Sequence, residues 1–325
     1  MKTRTIKKNI YLKTEFISYL QTKNLAPSSI EHYVREVGLF LAWIDREEIQ
    51  ITKPDVLKYL EYLKDKRRLQ NISRGRVLNV LNHYFTFLVG CQQIARNPCA
   101  FLKIRGTKPQ NLYRLYTNQE LTELYDTYFH AFVREYDDSH IPKNQRYLSA
   151  LSKQRNAVML SLLINQGTTT KEIDTILLDD IDLMGATIRL HGARKGKDRV
   201  LPLAATQIGV LMHYLQNIRP QLLNFQLQES QWLFLTLPSS LNGKSDNDSI
   251  MNSFKPLTTQ LKSIDQHFLN FKQVRASVIT HWITAHGLRK AQYMAGHRQI
   301  STTEKYLSND LTGLTNDINK LHPLQ

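Results

Sequence analysis

The sequence predicts a mainly α-helical protein in two parts, with one small antiparallel β-sheet in the second part. Three observations predict this. Apolar residues recur at three- and four-residue steps through most of the chain. Strand-like alternation stands only in the middle, at residues 186–191 and 199–203. A chain of 325 residues is long for one domain and comfortable for two, each with its own core.

Taken in order, the first helix is expected over 14–22, with Phe16, Ile17 and Leu20 on one face. Asn24-Leu25-Ala26-Pro27 breaks it from a second helix that Ser28 can cap, carrying Ile30, Tyr33, Val37, Phe40, Leu41 and Ile44. Thr52-Lys53-Pro54-Asp55 opens the third: Thr52 can cap, and Pro54 is tolerated in a first turn before Val56, Leu57, Leu60 and Leu63. A fourth holds Val77, Leu78, Leu81, Phe85 and Leu88, and Asn97-Pro98 closes the bundle, so that the first domain spans 1–102. Residues 103–112, with Arg105, Gly106, Thr107, Lys108 and Pro109, read as a short basic linker. The second domain, 113–325, opens on the capping-box pattern Thr117-Asn118-Gln119-Glu120, followed by Leu121, Leu124, Tyr125, Tyr128 and Phe132. Residues 136–154 are polar and read as an exposed loop; 155–166 read as a strongly apolar helix. The two strand runs, joined by 192–198, form a hairpin that must pack on the helices, being marginal alone. From Ala205 the pattern is again helical, broken by a polar loop between Pro238 and Ser249.

Lys and Arg number 43 against 28 acids, a net charge of +15, so a phosphate backbone is the natural partner. Acidic lipid is the rival, but no basic amphipathic membrane helix stands in the sequence. No apolar run approaches the roughly 20 residues of a membrane span, and no apolar core follows the basic start, so a cytoplasmic protein is the simplest reading. Cys91 and Cys99 read as reduced and structural; two cysteines without a histidine pair make no zinc site. Lys64, Lys66, Arg67, Arg68, Arg74 and Arg76 crowd one inter-helix connection, either as a solvated loop or as a phosphate-contacting surface.

The C-terminal third carries candidate chemistry. Gly296-His297 is a turn, followed by a short helix ending at Tyr306, and Lys272-Gln273-Val274-Arg275 lies upstream. Singly these pieces mean little. Together they fit phosphodiester transfer, which needs a nucleophile, cations around the non-bridging oxygens and a proton donor for the leaving group. Tyrosine suits reversible attack because its phosphodiester keeps the energy of the broken bond. Arginine suits the phosphate because its fork contacts two oxygens.

With these residues in place, the sequence resembles the tyrosine recombinase, or phage integrase, family over roughly 12–310. His297 and Tyr306 have the family's nine-residue separation, and Lys272-x-x-Arg275 matches its second box with lysine for histidine. Leu25-Ala26-Pro27-Ser28-Ser29-Ile30 with Tyr33 matches the opening of its helical core-binding domain, and Asn97-Pro98 the end. The resemblance implies a catalytic domain with Tyr306 as nucleophile, Arg275 as a phosphate clamp, His297 as a donor to the phosphate and Lys272 assisting proton transfer at the tyrosine. The hairpin segment Arg194-Lys195-Gly196-Lys197-Asp198-Arg199 is similar to the one carrying the family's general-acid lysine. Lys195 takes that role if one residue is deleted, Arg194 if none is. Arg67, Arg68, Arg74, Arg76, Arg194 and Lys197 are the candidate DNA contacts.

One departure is plain: Thr169 stands where the family has its first arginine, within Gln166-Gly167-Thr168-Thr169-Thr170-Lys171-Glu172-Ile173. Three accounts are open there. Another cation (Lys171, Arg155 or Arg194) fills the place, the enzyme runs on the remaining cations, or the chain is a catalytically silent DNA binder. The implied function is site-specific DNA cutting and rejoining through a 3′-phosphotyrosyl intermediate, as in integration, excision or inversion. The implied partners are double-stranded DNA, a homo-tetramer on two sites and accessory DNA-bending proteins. Neither metal nor cofactor is implied, since no paired carboxylates or His/Cys cluster have ligand spacing. A type IB topoisomerase-like relaxing enzyme shares the chemistry and stands as the further alternative.

Overall fold

The structure is a computed structural model that describes residues 13–106, 113–192, 196–245 and 249–307. The chain divides into two compact units, Met1–Gln110 and Asn111–Gln325. Helix dominates both, and the described strands form one three-stranded antiparallel sheet in the second.

The first unit packs α1 (13–22), α2 (Pro27–Ile44), α3 (Lys53–Asp65) and α4 (Asn71–Gly90) around one core. Phe16, Leu20, Val37, Phe40, Val56, Leu60, Leu81, Phe85 and Leu88 are buried there, and they are the positions that recur at helical steps. Helix α2 corrects one expectation. It starts on Pro27 with Ala26 as N-cap, without a side-chain cap from Ser28, because the fixed φ of proline suits a first helical position. Helix α3 starts as expected at Thr52, whose hydroxyl and backbone N–H both bond the Asp55 carboxylate. Both cysteines are free; Cys99 is buried, which pushes its thiol up to about 12.

The second unit is built around α6 (Lys143–Asn165), whose residues from Arg155 to Ile164 are all buried. Around it lie α5 (Asn118–Phe129), α7 (Thr170–Ile173), α8 (Ala205–His213), α9 (Arg219–Leu223), α10 (Phe254–Ile264), α11 (Phe271–Met294) and α12 (Ile300–Leu307). The expected exposed loop over 136–154 is corrected: helix α6 already begins at Lys143. Its first half turns Leu148 and Leu151 inward while Lys143, Asn144, Gln145 and Tyr147 are exposed. Such a polar outer face resembles a loop in sequence, but two buried leucines on one side hold it to the core. The hairpin is present as β2 (Thr187–Leu190) and β3 (Arg199–Pro202), and β1 (Ile181–Asp182) adds a third strand beyond the expected pair. Along β2, Ile188 and Leu190 point inward; along β3, Leu201 and Arg199 do. An arginine therefore occupies a core-facing place in a strand of period two. Among the described residues, no helix is long and apolar enough to cross a membrane.

Candidate active site

Helix α11 begins at Asn270, whose side chain accepts from the N–H groups of Lys272 and Gln273. This cap fixes the first turn, leaving Lys272 exposed and placing Arg275 one turn further on the same side. The Arg275 guanidinium is held by backbone from two directions. Its Nη1 donates to the carbonyl of Gly167, and its Nη2 to that of Ala295 at 2.8 Å. Nη2 also lies 3.3 Å from His297 Nε2. The guanidinium is thus fixed before any ligand arrives, the condition under which a charge stabilises a transition state most.

Helix α11 is broken at Gly287, with φ 77° and ψ 165°, and its second half ends in the Ala295-Gly296 turn. Gly296 has φ 70°, and a Cβ there would stand 2.6 Å from Arg199 Nη1. Both the backbone angle and the lack of space require glycine ahead of His297. On its other side the turn is paired with the hairpin: Lys197 N–H donates to Gly296 O at 3.0 Å, and Gly196 bridges His297. The hairpin base is tied as well, with Gly192 N–H on Asp198 at 2.8 Å and His191 on the buried Asp180 at 2.7 Å.

His297 is the junction of the site. Its Nδ1 lies 2.9 Å from the Thr303 hydroxyl, which is fully buried in α12, and its ring stacks on that of Tyr306, with centroids 5.8 Å apart and planes 12° from parallel. Thr303 and Tyr306 are three residues apart, so one face of α12 presents both to the imidazole. Burial first, then the Arg275 and Arg199 guanidiniums, press its pKa down to about 4; Glu172 opposes them weakly. The ring is neutral near pH 7 and acts as a hydrogen-bonding group. Arginine can only donate, so in this state Nε2 accepts from Arg275 and Nδ1–H faces Thr303 Oγ1. The hydroxyl can equally donate to Nδ1, which frees Nε2–H for an oxygen ligand.

Thr169, at the departure, caps α7: its hydroxyl accepts from Glu172 N–H at 3.1 Å, and its own N–H donates to Glu172 Oε2 at 2.7 Å. Glu172 Oε1 accepts from Arg199 Nη1 at 2.5 Å, and Oε2 lies 3.6 Å from Arg275 Nη1. Burial alone would raise the Glu172 pKa, but the bond to Arg199 and the two guanidinium charges outweigh it and hold the group low. Arg199, with a side chain 1 % exposed, keeps Nε and Nη2 without partners among the described residues.

Of the sequence-predicted site residues, the structure brings Arg275, His297 and Tyr306 together. Lys272 stands exposed one turn before Arg275, and Lys197 is exposed at the foot of the hairpin. Lys195 and Arg194 lie outside the described residues. Arg67, Arg68 and Arg76 are exposed around the α3–α4 connection. Arg74 is committed to the fold instead, donating to Asn71 Oδ1 at 2.5 Å and to Leu60 O at 3.4 Å. Arg155 is likewise committed, to Leu235 O at 2.7 Å, Ser253 Oγ at 2.9 Å and Asn156 Oδ1 at 3.1 Å, and burial draws its pKa down to about 10. Its donors are therefore taken up within the fold. Sequence reasoning missed Arg199, Glu172 and Thr303 as members of the cluster. The signal for Arg199 was present: alternation along 199–203 places it on the face of Leu201, where a charge needs a buried partner.

Comparisons with known proteins identify the family of the chain. The signature described as Phage integrase family matches residues 140–312, and that of the phage integrase N-terminal SAM-like domain matches 12–93. The chain is 27 % identical over 302 residues to the tyrosine recombinase XerD of Staphylococcus epidermidis, covering 90 % of this chain and 98 % of that protein. It is 26 % identical over 323 residues to the tyrosine recombinase XerC of Oceanobacillus iheyensis, covering 97 % and 96 %. Among solved structures, XerH site-specific recombinase bound to palindromic difH substrate is similar in fold, with a TM-score of 0.64 and 16 % identity over 91 % of this chain and 80 % of that one. The Tn1549 transposon integrase in complex with transposon right end DNA gives a TM-score of 0.61 at 12 % identity, over 95 % and 99 %.

Proposed function

The chain belongs to the phage integrase family and is a tyrosine-type site-specific DNA recombinase, and from that premise we propose that Tyr306 is its nucleophile and that Arg275 and His297 hold the scissile phosphate. One observation carries the reading. A capped helix start, a glycine turn and a short helix deliver Arg275, His297 and Tyr306 to a single cluster, with the tyrosine ring stacked on the histidine.

In the proposed step, Tyr306 Oη bonds to phosphorus while the bond from phosphorus to the 5′-oxygen breaks. The phenolic proton leaves towards water, and Lys272 at the start of α11 is the candidate to assist that transfer by donating to the attacked phosphate. The departing 5′-oxygen takes a proton from the hairpin lysine, Lys195. Arg275 and the Nε2–H of His297 bind the non-bridging oxygens, where charge builds up. The products are a 3′-phosphotyrosyl link and a free 5′-hydroxyl. A 5′-hydroxyl from a partner duplex then attacks, the bond to tyrosine breaks, and Tyr306 is restored without hydrolysis. Two duplexes exchanged in full need four such cleavages, one per chain, which is the reason to propose a homo-tetramer on two sites, with accessory DNA-bending proteins aligning them.

The missing arginine at Thr169 favours one second reading, a DNA binder without cleavage. A library of nicked duplexes randomised across the binding site separates the two. Cleavage next to the nick releases the short strand and traps the adduct. The expected result is a denaturation-resistant protein–DNA adduct with the intact chain and none with Tyr306→Phe. Binding without any adduct overturns the enzymatic reading, and an adduct that persists in Tyr306→Phe overturns the nucleophile.

A further inference from the structure

Asp180 stands just before β1 with a buried side chain, and a buried carboxylate must be hydrogen-bonded. Its Oδ2 accepts from Leu177 N–H at 2.9 Å, and its Oδ1 lies 2.7 Å from His191 Nε2. His191 follows the last residue of β2 and Asp198 precedes the first of β3, so the two stand opposite each other where the β2–β3 ladder ends. The other ring nitrogen of His191, Nδ1, is 3.8 Å from Asp198 Oδ2, and Asp198 Oδ1 accepts from Gly192 N–H. One imidazole thus lies between a buried carboxylate beside the sheet and an exposed one on the returning limb of the hairpin.

This junction is the root of the hairpin loop. A Cβ at Gly192 would stand 2.6 Å from the backbone of Gly196 and Lys197, so the two limbs touch immediately beyond His191. The returning limb then meets the site, with Lys197 N–H on Gly296 O and Gly196 bridged to His297. Between the limbs in sequence stands Lys195, the candidate proton donor. It takes the place of the family's lysine only with one residue more than the family pattern, and an added residue brings backbone freedom that a fixed root offsets. His191 lies outside the motifs that carry the family resemblance. Proton transfer needs donor and acceptor within hydrogen-bond reach, and a misplacement of about 1 Å can cost on the order of 100-fold.

We infer that His191 is a positioning residue for proton delivery: gripped between Asp180 and Asp198, it sets the root of the hairpin and so the reach of the hairpin lysine to the leaving 5′-oxygen. The inference rests on the reading of Lys195 as the proton donor.

Cleavage is measured on a nicked duplex recovered from the library selection, made in two forms. One has the natural oxygen at the 5′-bridging position of the scissile bond, the other has sulfur there. In both, the bond from Tyr306 Oη to phosphorus forms as the bridging bond breaks. The sulfur departs as a thiolate and needs no proton, since a thiol has a pKa of about 8.5, far below that of an alcohol. His191→Ala should slow cleavage of the oxygen substrate and leave the sulfur substrate nearly unaffected, so that the ratio of sulfur to oxygen rates rises at least about tenfold. Both rates come from one preparation, so the ratio does not depend on the folded fraction. His191→Gln, whose amide can still donate to Asp180, should keep the ratio within about threefold of the unaltered protein. A merely structural role lowers both rates together, and an unchanged ratio in His191→Ala overturns the inference; a ratio in His191→Gln as high as in His191→Ala overturns the grip on Asp180. Lys195→Ala separates the two levels. If sulfur does not rescue Lys195→Ala, the reading of Lys195 as proton donor fails first; if it does and the His191→Ala ratio is unchanged, only the role of His191 fails.

Discussion

Held neutral by burial and by the guanidiniums of Arg275 and Arg199, His297 makes stability depend on pH in a definite direction. Its pKa is about 4 in the folded chain and about 6.5 when unfolded, so between those values the unfolded state takes a proton the folded state refuses. The histidine contributes no penalty above about pH 6.5 and an increasing one as pH falls towards 4. Urea unfolding of the second unit should show this: between pH 7 and pH 5 the unaltered protein should lose up to about 2 kcal/mol more stability than His297→Gln. Equal losses in the two proteins would mean that the imidazole is not buried as described. Glu172, held low in the same cluster, adds its own destabilisation at more acid pH, below the window used. At this scale the grouping of Tyr306, His297 and Arg275 was legible because their spacing matches the family's motifs. Thr303 was not, since a lone threonine in a helix has no pattern of its own. It matters through one hydrogen bond to His297.

Among the elements, the Gly296 turn and the hairpin are built as one piece. The turn fixes His297, the segment before β3 pairs with it, and Arg199 fills the space a side chain at 296 would need. Gly296→Ala should therefore cost about 2 kcal/mol or more, from its backbone angle and from its closeness to Arg199. Gly209 in α8 is the control: its φ is not positive, and a Cβ there meets nothing within 4 Å. Thermal unfolding should rank Gly296→Ala below Gly209→Ala, and the reverse order would refute the strain and close packing at Gly296. Helix types and the β2–β3 hairpin were readable because apolar period and capping chemistry are local. The start of α6 was not, because only Leu148 and Leu151 mark its buried side, and burial is decided by packing across the unit. Strand β1 escaped because two residues cannot display alternation.

For the molecule as a whole, the net charge of +15 sets the long-range attraction to DNA, while individual arginines divide into those that face solvent and those that hold the fold. Arg67, Arg68 and Arg76 are of the first kind, and Arg74 is of the second. Replacing the first three with glutamine should weaken DNA binding and flatten its salt dependence, by about 0.9 in log–log slope for each phosphate no longer neutralised. Fluorescence anisotropy across a salt series measures this. An unchanged slope would show that this connection does not touch the backbone. Arg74→Gln should instead lower the melting temperature with little change in slope.

The cap at Thr169 also bears on what a substitution there would do. An arginine placed at that position would lose the hydroxyl that starts α7 and enter a neighbourhood where Glu172 already serves two guanidiniums. The helix start would weaken while a third positive charge met no counter-ion. Thr169→Arg alone is therefore expected to destabilise the second unit, so the cap and the ion pairs of Glu172 together limit which side chains position 169 accepts.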